Sequence, residues 1–185
     1  MSNKLTEHYT IPCYDTDASW RLKPVSFMNY AQEMANRHAT ILGFGYDDLV
    51  ASKTAWVLSR MHIRFVDTPM WRDKMTLTTW HKGLDRLFFL RDFQMKDEQG
   101  NIRVEATTSW IVLNLETRRF VRDPKLMDEG TTCSENAIEQ PADKVGMPSL
   151  FLLWSILCLI RMWICSGIQI MRCICIGQWM RWIMI

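Results

Sequence analysis

Apolar positions along this chain change their spacing several times, and each change marks an element. Thr6 to Tyr14 predicts a short first strand, closed by the turn-prone Tyr14-Asp15-Thr16-Asp17. After Pro24, residues Met28, Ala31, Met34, Ala35 and Leu42 recur at three, four or seven and so share one helix face, with Asn29, Glu33, Asn36 and Arg37 mostly opposite. Gly43 predicts the helix end. The period then becomes two. Trp56, Leu58, Arg60, His62 and Arg64 are expected on one strand face, and Val57, Ser59, Met61, Ile63 and Phe65 on the other, more apolar one. Further strands are predicted at Lys74 to His81, Leu87 to Lys96 and Ile102 to Asn114, separated by Gly83-Leu84-Asp85 and by Asp97-Glu98-Gln99-Gly100-Asn101.

The order is strand, long helix, then four antiparallel strands, an α+β class. One helix with one sticky face must be covered, so the sheet is expected to curl round it. That arrangement is the hotdog fold. A helix laid on a four-stranded sheet of another topology is the alternative that the same elements leave open.

Composition divides the 185-residue chain in two. Up to Pro148 it is ordinary. From Ser149 to Ile185 it holds no Asp, Glu or Lys, and its only charges are Arg161, Arg172 and Arg181. Three of the 22 basic residues therefore sit in the tail, leaving 19 against 20 acidic ones in the body, a net charge of −1. A basic face for nucleic acid is not expected. The body has only Cys13 and Cys133, and the chain opens Met-Ser-Asn-Lys-Leu-Thr-Glu without a secretory apolar run, so a cytoplasmic location is expected. Cys173-Ile-Cys175 lacks the second pair a zinc site needs.

Several blocks carry a family resemblance. Trp56-Val57-Leu58-Ser59-Arg60-Met61-His62-Ile63 is followed by Pro69-Met70-Trp71-Arg72-Asp73, Thr79-Trp80, Arg91-Asp92-Phe93 and Ser109-Trp110-Ile111-Val112-Leu113-Asn114-Leu115-Glu116-Thr117-Arg118-Arg119. Asn29-Tyr30-Ala31-Gln32-Glu33-Met34-Ala35 precedes them. In collinear order over residues 6–124, these resemble the N-terminal half of the fatty acyl-ACP thioesterases. The resemblance implies two tandem hotdog domains, the first largely binding the acyl chain and the second carrying catalytic Asp, Asn and His. It implies acyl carrier protein and a fatty acyl chain as partners, and no metal or redox cofactor. Met28, Gln32, Trp56 and Arg60 become candidates for acyl-substrate contact, although Met28 and Trp56 are core residues first. Arg60 and Arg64 become candidates for the carrier protein or its phosphopantetheine phosphate, with an ordinary solvated face as the equal alternative. His62 is expected as a half-exposed strand histidine, and Asp15 and Asp17 as a solvated turn. No in-frame stretch matches the family's catalytic Asp-x-Asn-x-His-x-Asn-Asn-x-x-Tyr, so no catalytic residue is assigned.

The tail's bias suggests translation out of frame. Codons can be rebuilt from the last base of one residue and the first two of the next. Trp163–Ile164 must then give Asp, Gly167–Ile168 allows His, Gln169–Ile170 gives Asn or Asp, Ile170–Met171 allows Asn, and Cys173–Ile174 gives Tyr or His. The string can read Asp-Met-x-Gly-His-Thr-Asn-Asn-Ala-x-Tyr, similar to the missing motif. The expected organisation is a hotdog domain at 1–124, an irregular linker at 125–148 and a frame-shifted tail at 149–185. A membrane span is not expected, because Leu150–Ile160 is shorter than the roughly 20 residues a helical span needs. Three readings compete. One is an acyl-ACP thioesterase inactive for want of its second domain. Another is a single-hotdog acyl-CoA thioesterase that builds its site as a homodimer, using Asp15 or Asp17. The third is a non-catalytic module that binds acyl chains or the carrier protein.

Overall fold

A computed structural model describes residues 3–121, 132–140 and 142, together with the backbone of 171–176 and 179–184. In chain order the elements are β1 (Lys4–Thr10), α1 (Pro24–Ile41), α2 (Tyr46–Ala51), β2 (Thr54–Phe65), β3 (Lys74–Asp85), β4 (Phe88–Lys96), β5 (Ile102–Asn114), β6 (Met171–Ile176) and β7 (Trp179–Met184). All strands pair antiparallel in one sheet of order β1-β3-β4-β5-β2-β7-β6. The long helix lies against the concave face of the first five, which is the hotdog fold.

Helix α1 starts with Pro24 in its first turn, where the missing N–H costs nothing. It stops where Gly43 takes φ +83°, and Leu42 and Gly43 donate back to His38 and Thr40 carbonyls. Its buried side is Phe27, Met28, Ala31, Met34, Ala35, His38 and Ala39. Phe27, Met28, Ala31, Met34 and Ala35 pack with Leu58, Met61, Ile63, Met75, Leu77, Phe93, Met95, Val104 and Ala106 of the sheet. A second apolar group, Ala39, Phe44, Leu49, Phe89 and Val112, lies toward the other end of the helix.

The expected faces of β2 need correction. Register against β5 moves from Leu58↔Trp110 to Arg60↔Ser109, so Ser59 is an extra, unpaired residue. Such a bulge reverses the alternation beyond it. Trp56 and Leu58 therefore face the helix together with Met61, Ile63 and Phe65, while Arg60, His62 and Arg64 point away from it. The first strand also ends earlier than expected, at Thr10, because Pro12 leads into a 3-10 turn at Cys13–Asp15. Gly83-Leu84-Asp85 is not a turn but the end of β3, carried past a register shift by Gly83 at φ +102°.

The short α2 has no counterpart among the elements predicted from sequence. Gly45 caps it, its N–H donating to Asp48 Oδ2 at 3.0 Å. A Cβ on Gly45 would lie 2.8 Å from Thr40 Cα and overlap the Thr40 hydroxyl. Gly45→Ala should therefore lower stability by about 1–3 kcal/mol, read as a drop in the urea midpoint. An unchanged midpoint would show that the α1–α2 corner is not tight.

Part of the expected linker is irregular but docked. Cys133 N–H donates to His81 O at 2.8 Å, Trp80 Nε1 to Glu135 O at 2.8 Å, and Ala137 N–H to Asp92 Oδ2 at 2.8 Å. Ala137 and Ile138 are buried. This segment lies on the sheet face opposite the helix. The rest of 125–148, and residues 149–170 with the apolar run Leu150–Ile160, lie outside the described residues. Among the described residues no helix is long and apolar enough to cross a membrane.

Candidate functional site

Between the C-terminal half of α1 and the sheet is a cavity of about 190 Å³. The helix contributes Gln32, Ala35, Asn36 and Ala39, which span two turns of one side. Alanines there leave space that larger side chains would fill. The facing wall is Trp56 of β2, His81 of β3, Phe89 and Arg91 of β4 and Trp110 of β5, with Phe44 closing the helix end. The aromatic groups fix one another. Trp56 meets Phe89 edge-on at 4.9 Å between centroids, Phe44 meets Trp56 at 6.3 Å, and Trp56 Nε1 donates to Phe44 O at 3.2 Å. An apolar, walled slot with a few convergent polar groups suits an alkyl chain.

One end of the slot is polar. Arg91 is buried and donates from Nη1 to His38 Nδ1 at 2.8 Å and to Thr79 Oγ1 at 3.2 Å. A guanidinium only donates, so His38 Nδ1 accepts and the ring proton sits on Nε2. That Nε2 is buried and unpartnered. His81 Nδ1 lies 3.1 Å from Leu90 O, a pure acceptor, so Nδ1 carries the His81 proton. Burial, reinforced by the Arg91 charge, pushes both imidazoles down to about 4. Burial alone lowers Arg91 to about 10, which leaves it cationic at neutral pH. Arg91 marks a boundary: beyond it along the strands, Phe93, Ala106 and Leu77 are packed solid, and before it, Phe89 and Trp110 border the cavity.

The residues nominated from sequence part company here. Gln32 and Trp56 line the cavity together. Met28 is in the packed core instead. Arg60 is on the opposite sheet face, its guanidinium 4.5 Å from the Phe88 ring centroid. Arg64 shares that face and is ion-paired to the buried Glu105, donating from Nε at 3.0 Å. His62 is also there and is buried rather than half-exposed. Asp15 takes the Tyr30 hydroxyl, and Asp17 Oδ1 accepts the Ser19 and Arg21 N–H groups at 2.8 and 3.0 Å, so neither aspartate lines the cavity. His38, His81 and Arg91 are not among the residues nominated from sequence. Their signal was present: Arg91 interrupts the apolar set Leu87, Phe89, Phe93, Met95, and His38 falls in the helix stripe four residues after Met34. A charge on a core face is the informative exception. Among the described residues no three His, Cys, Asp or Glu side chains gather as a metal set would.

Comparison with known proteins places this geometry. Residues 2–129 match the family model for the acyl-ACP thioesterase N-terminal domain. Oleoyl-acyl carrier protein thioesterase 1 of Arabidopsis thaliana is 29% identical over 121 residues, which is 62% of this chain and 33% of that protein. This chain thus spans about a third of the length of the curated relatives it matches. Among solved structures, an acyl-ACP thioesterase from Bacteroides thetaiotaomicron aligns with a TM-score of 0.71 and 28% identity, over 79% of this chain and 62% of that one. The 12:0-ACP thioesterase from Umbellularia californica shares the fold, with a TM-score of 0.68 at 20% identity over 80% of this chain and 62% of that one. With more than half of its length matched by the family model, the chain belongs to the acyl-ACP thioesterase family.

Proposed function

We propose that the cavity receives the alkyl chain of a fatty acyl-ACP, and that this domain is the acyl-binding half of a thioester hydrolase. The observation that carries this reading is the slot itself, walled by Phe44, Trp56, Phe89 and Trp110 and opened by Ala35 and Ala39. The bond-breaking groups would belong to a second domain. In this chain, residues 149–185 are the out-of-frame remnant of that domain, following a linker at 125–148, and the chain as it stands binds without hydrolysing. The nucleotide sequence around codon 149 tests this: an intact frame with no hidden motif would refute it. The single-domain acyl-CoA alternative is the weaker one, because Asp15 and Asp17 are engaged in their own turn and with Tyr30. Arg60 and Arg64 would meet the acidic carrier protein on the outer face, and the protein would work in the cytoplasm.

Binding is measured by tryptophan fluorescence over a chain-length series of acyl-ACPs, beside an assay of thiol release. Ala35→Phe places a ring in the slot and should weaken binding about ten-fold or more, equivalent to about 1.4 kcal/mol, with unchanged far-UV circular dichroism. Undiminished binding by that variant would mean the alkyl chain lies elsewhere. Rapid thiol release by the unaltered chain would refute the division of labour.

A further inference from the structure

A buried charge without a counter-ion is costly, and proteins keep one where something supplies the opposite charge. Arg91 is such a charge. Its side-chain partners, His38 and Thr79, are neutral, and among the described residues it makes no ion pair. The adjacent carboxylate, Asp92, points to the other sheet face, where Lys82 and Ala137 N–H hold it. His38, which does not line the cavity, keeps its Nε2–H buried with no acceptor among the described residues. Arg91 is only 5% exposed, yet it borders the cavity. The opposite end of that cavity is aromatic and apolar. The slot is therefore amphiphilic along its length: a buried cation at one end, and a largely aromatic wall beyond.

We propose that this cavity is a binding site for a free fatty acid held carboxylate-inward, with Arg91 as counter-ion and the alkyl chain running past Phe89, Trp110 and Trp56. This rests on the reading that the slot takes alkyl chains, and adds to it a second orientation. An acyl group tethered to a carrier protein must enter methyl end first, because the carrier stays outside. The released acid has no such tether and can turn its head to Arg91. Bound that way, it occupies the slot that the next acyl chain needs, so the product of thioester hydrolysis competes with its own substrate.

The test compares dodecanoate, dodecanol and methyl dodecanoate at neutral pH, below their aggregation concentrations, by titration calorimetry on the full chain. Dodecanoate should bind at least about ten-fold tighter than either neutral ligand, as a charge-assisted hydrogen bond provides. Arg91→Met, close in length and uncharged, should reduce that preference to about two-fold or less while retaining dodecanol. Equal binding of acid and alcohol by the unaltered protein overturns the proposal, and needs no variant to do so. A preference that survives in a folded Arg91→Met also overturns it. Binding by none of the three ligands overturns the alkyl-chain reading itself, and this site with it, whereas dodecanol binding without an acid preference defeats the carboxylate site alone.

Discussion

At about pH 5 the folded domain should be about 4 kcal/mol less stable than at about pH 7.5. The cause is the histidine pair beside Arg91. His38 and His81 are held at about 4 by burial and the neighbouring cation, against 6.5 for a free imidazole. A base with a depressed folded value favours the neutral form in the folded state. That contribution is fully present above pH 6.5. As the pH falls below 6.5, the unfolded chain takes up two protons that the folded chain refuses until about pH 4. The difference of two bound protons gives a slope approaching 2.7 kcal/mol per pH unit within that window, by order of magnitude. Asp92 works in the opposite sense, since burial raises its carboxyl and returns some stability as the pH falls. Urea midpoints taken between about pH 7.5 and pH 5 should fall steeply for the natural chain. They should fall less for a His38→Gln, His81→Gln double variant. A flat profile in the natural chain would mean that neither imidazole is desolvated.

This polar band was the least legible part of the sequence, and the reason is physical. Met28, Ala31, Met34, Ala35 and Leu42 outline α1 because burial of one face imposes a 3.6-residue period. The period of two in the predicted strand Leu87 to Lys96 likewise assigns Leu87, Phe89, Phe93 and Met95 to the core. It has no place for a cation at Arg91, or for His38 on the helix, because their burial depends on each other across 53 residues of chain. The β2 bulge hides for a different reason. An extra residue at Ser59 leaves strict alternation on both sides of itself, so Trp56 and Arg60 read as neighbours on one face although they lie on opposite ones. Helix α2 has six residues, too few for a period to show. Gln32 and Trp56 both reach the cavity, although strict alternation groups Trp56 with Arg60, His62 and Arg64 on the less apolar face.

Phe27→Ala should cost about 3–5 kcal/mol, a large share of the roughly 5–15 kcal/mol by which such domains are stable. Phe27 is fully buried in the first turn of α1 and meets Phe65 edge-on at 6.1 Å. Its neighbours belong to the packed group that includes Met61, Ile63, Phe93 and Val104, and a ring removed there leaves a void that these side chains cannot close. Phe44 is the instructive control. It is nearly as buried, yet it borders the existing cavity, so Phe44→Ala enlarges a space already present rather than opening one in close-packed surroundings. Its cost should be smaller by about 1–2 kcal/mol. Both are read as shifts in urea midpoint at constant slope. The order of the two costs bears on function: a helix anchored rigidly at Phe27 lets its far half stand off the sheet at Ala35 and Ala39, and that standoff is the slot. If Phe44→Ala proved the more damaging, the close-packed and hollow ends of the domain would have been interchanged.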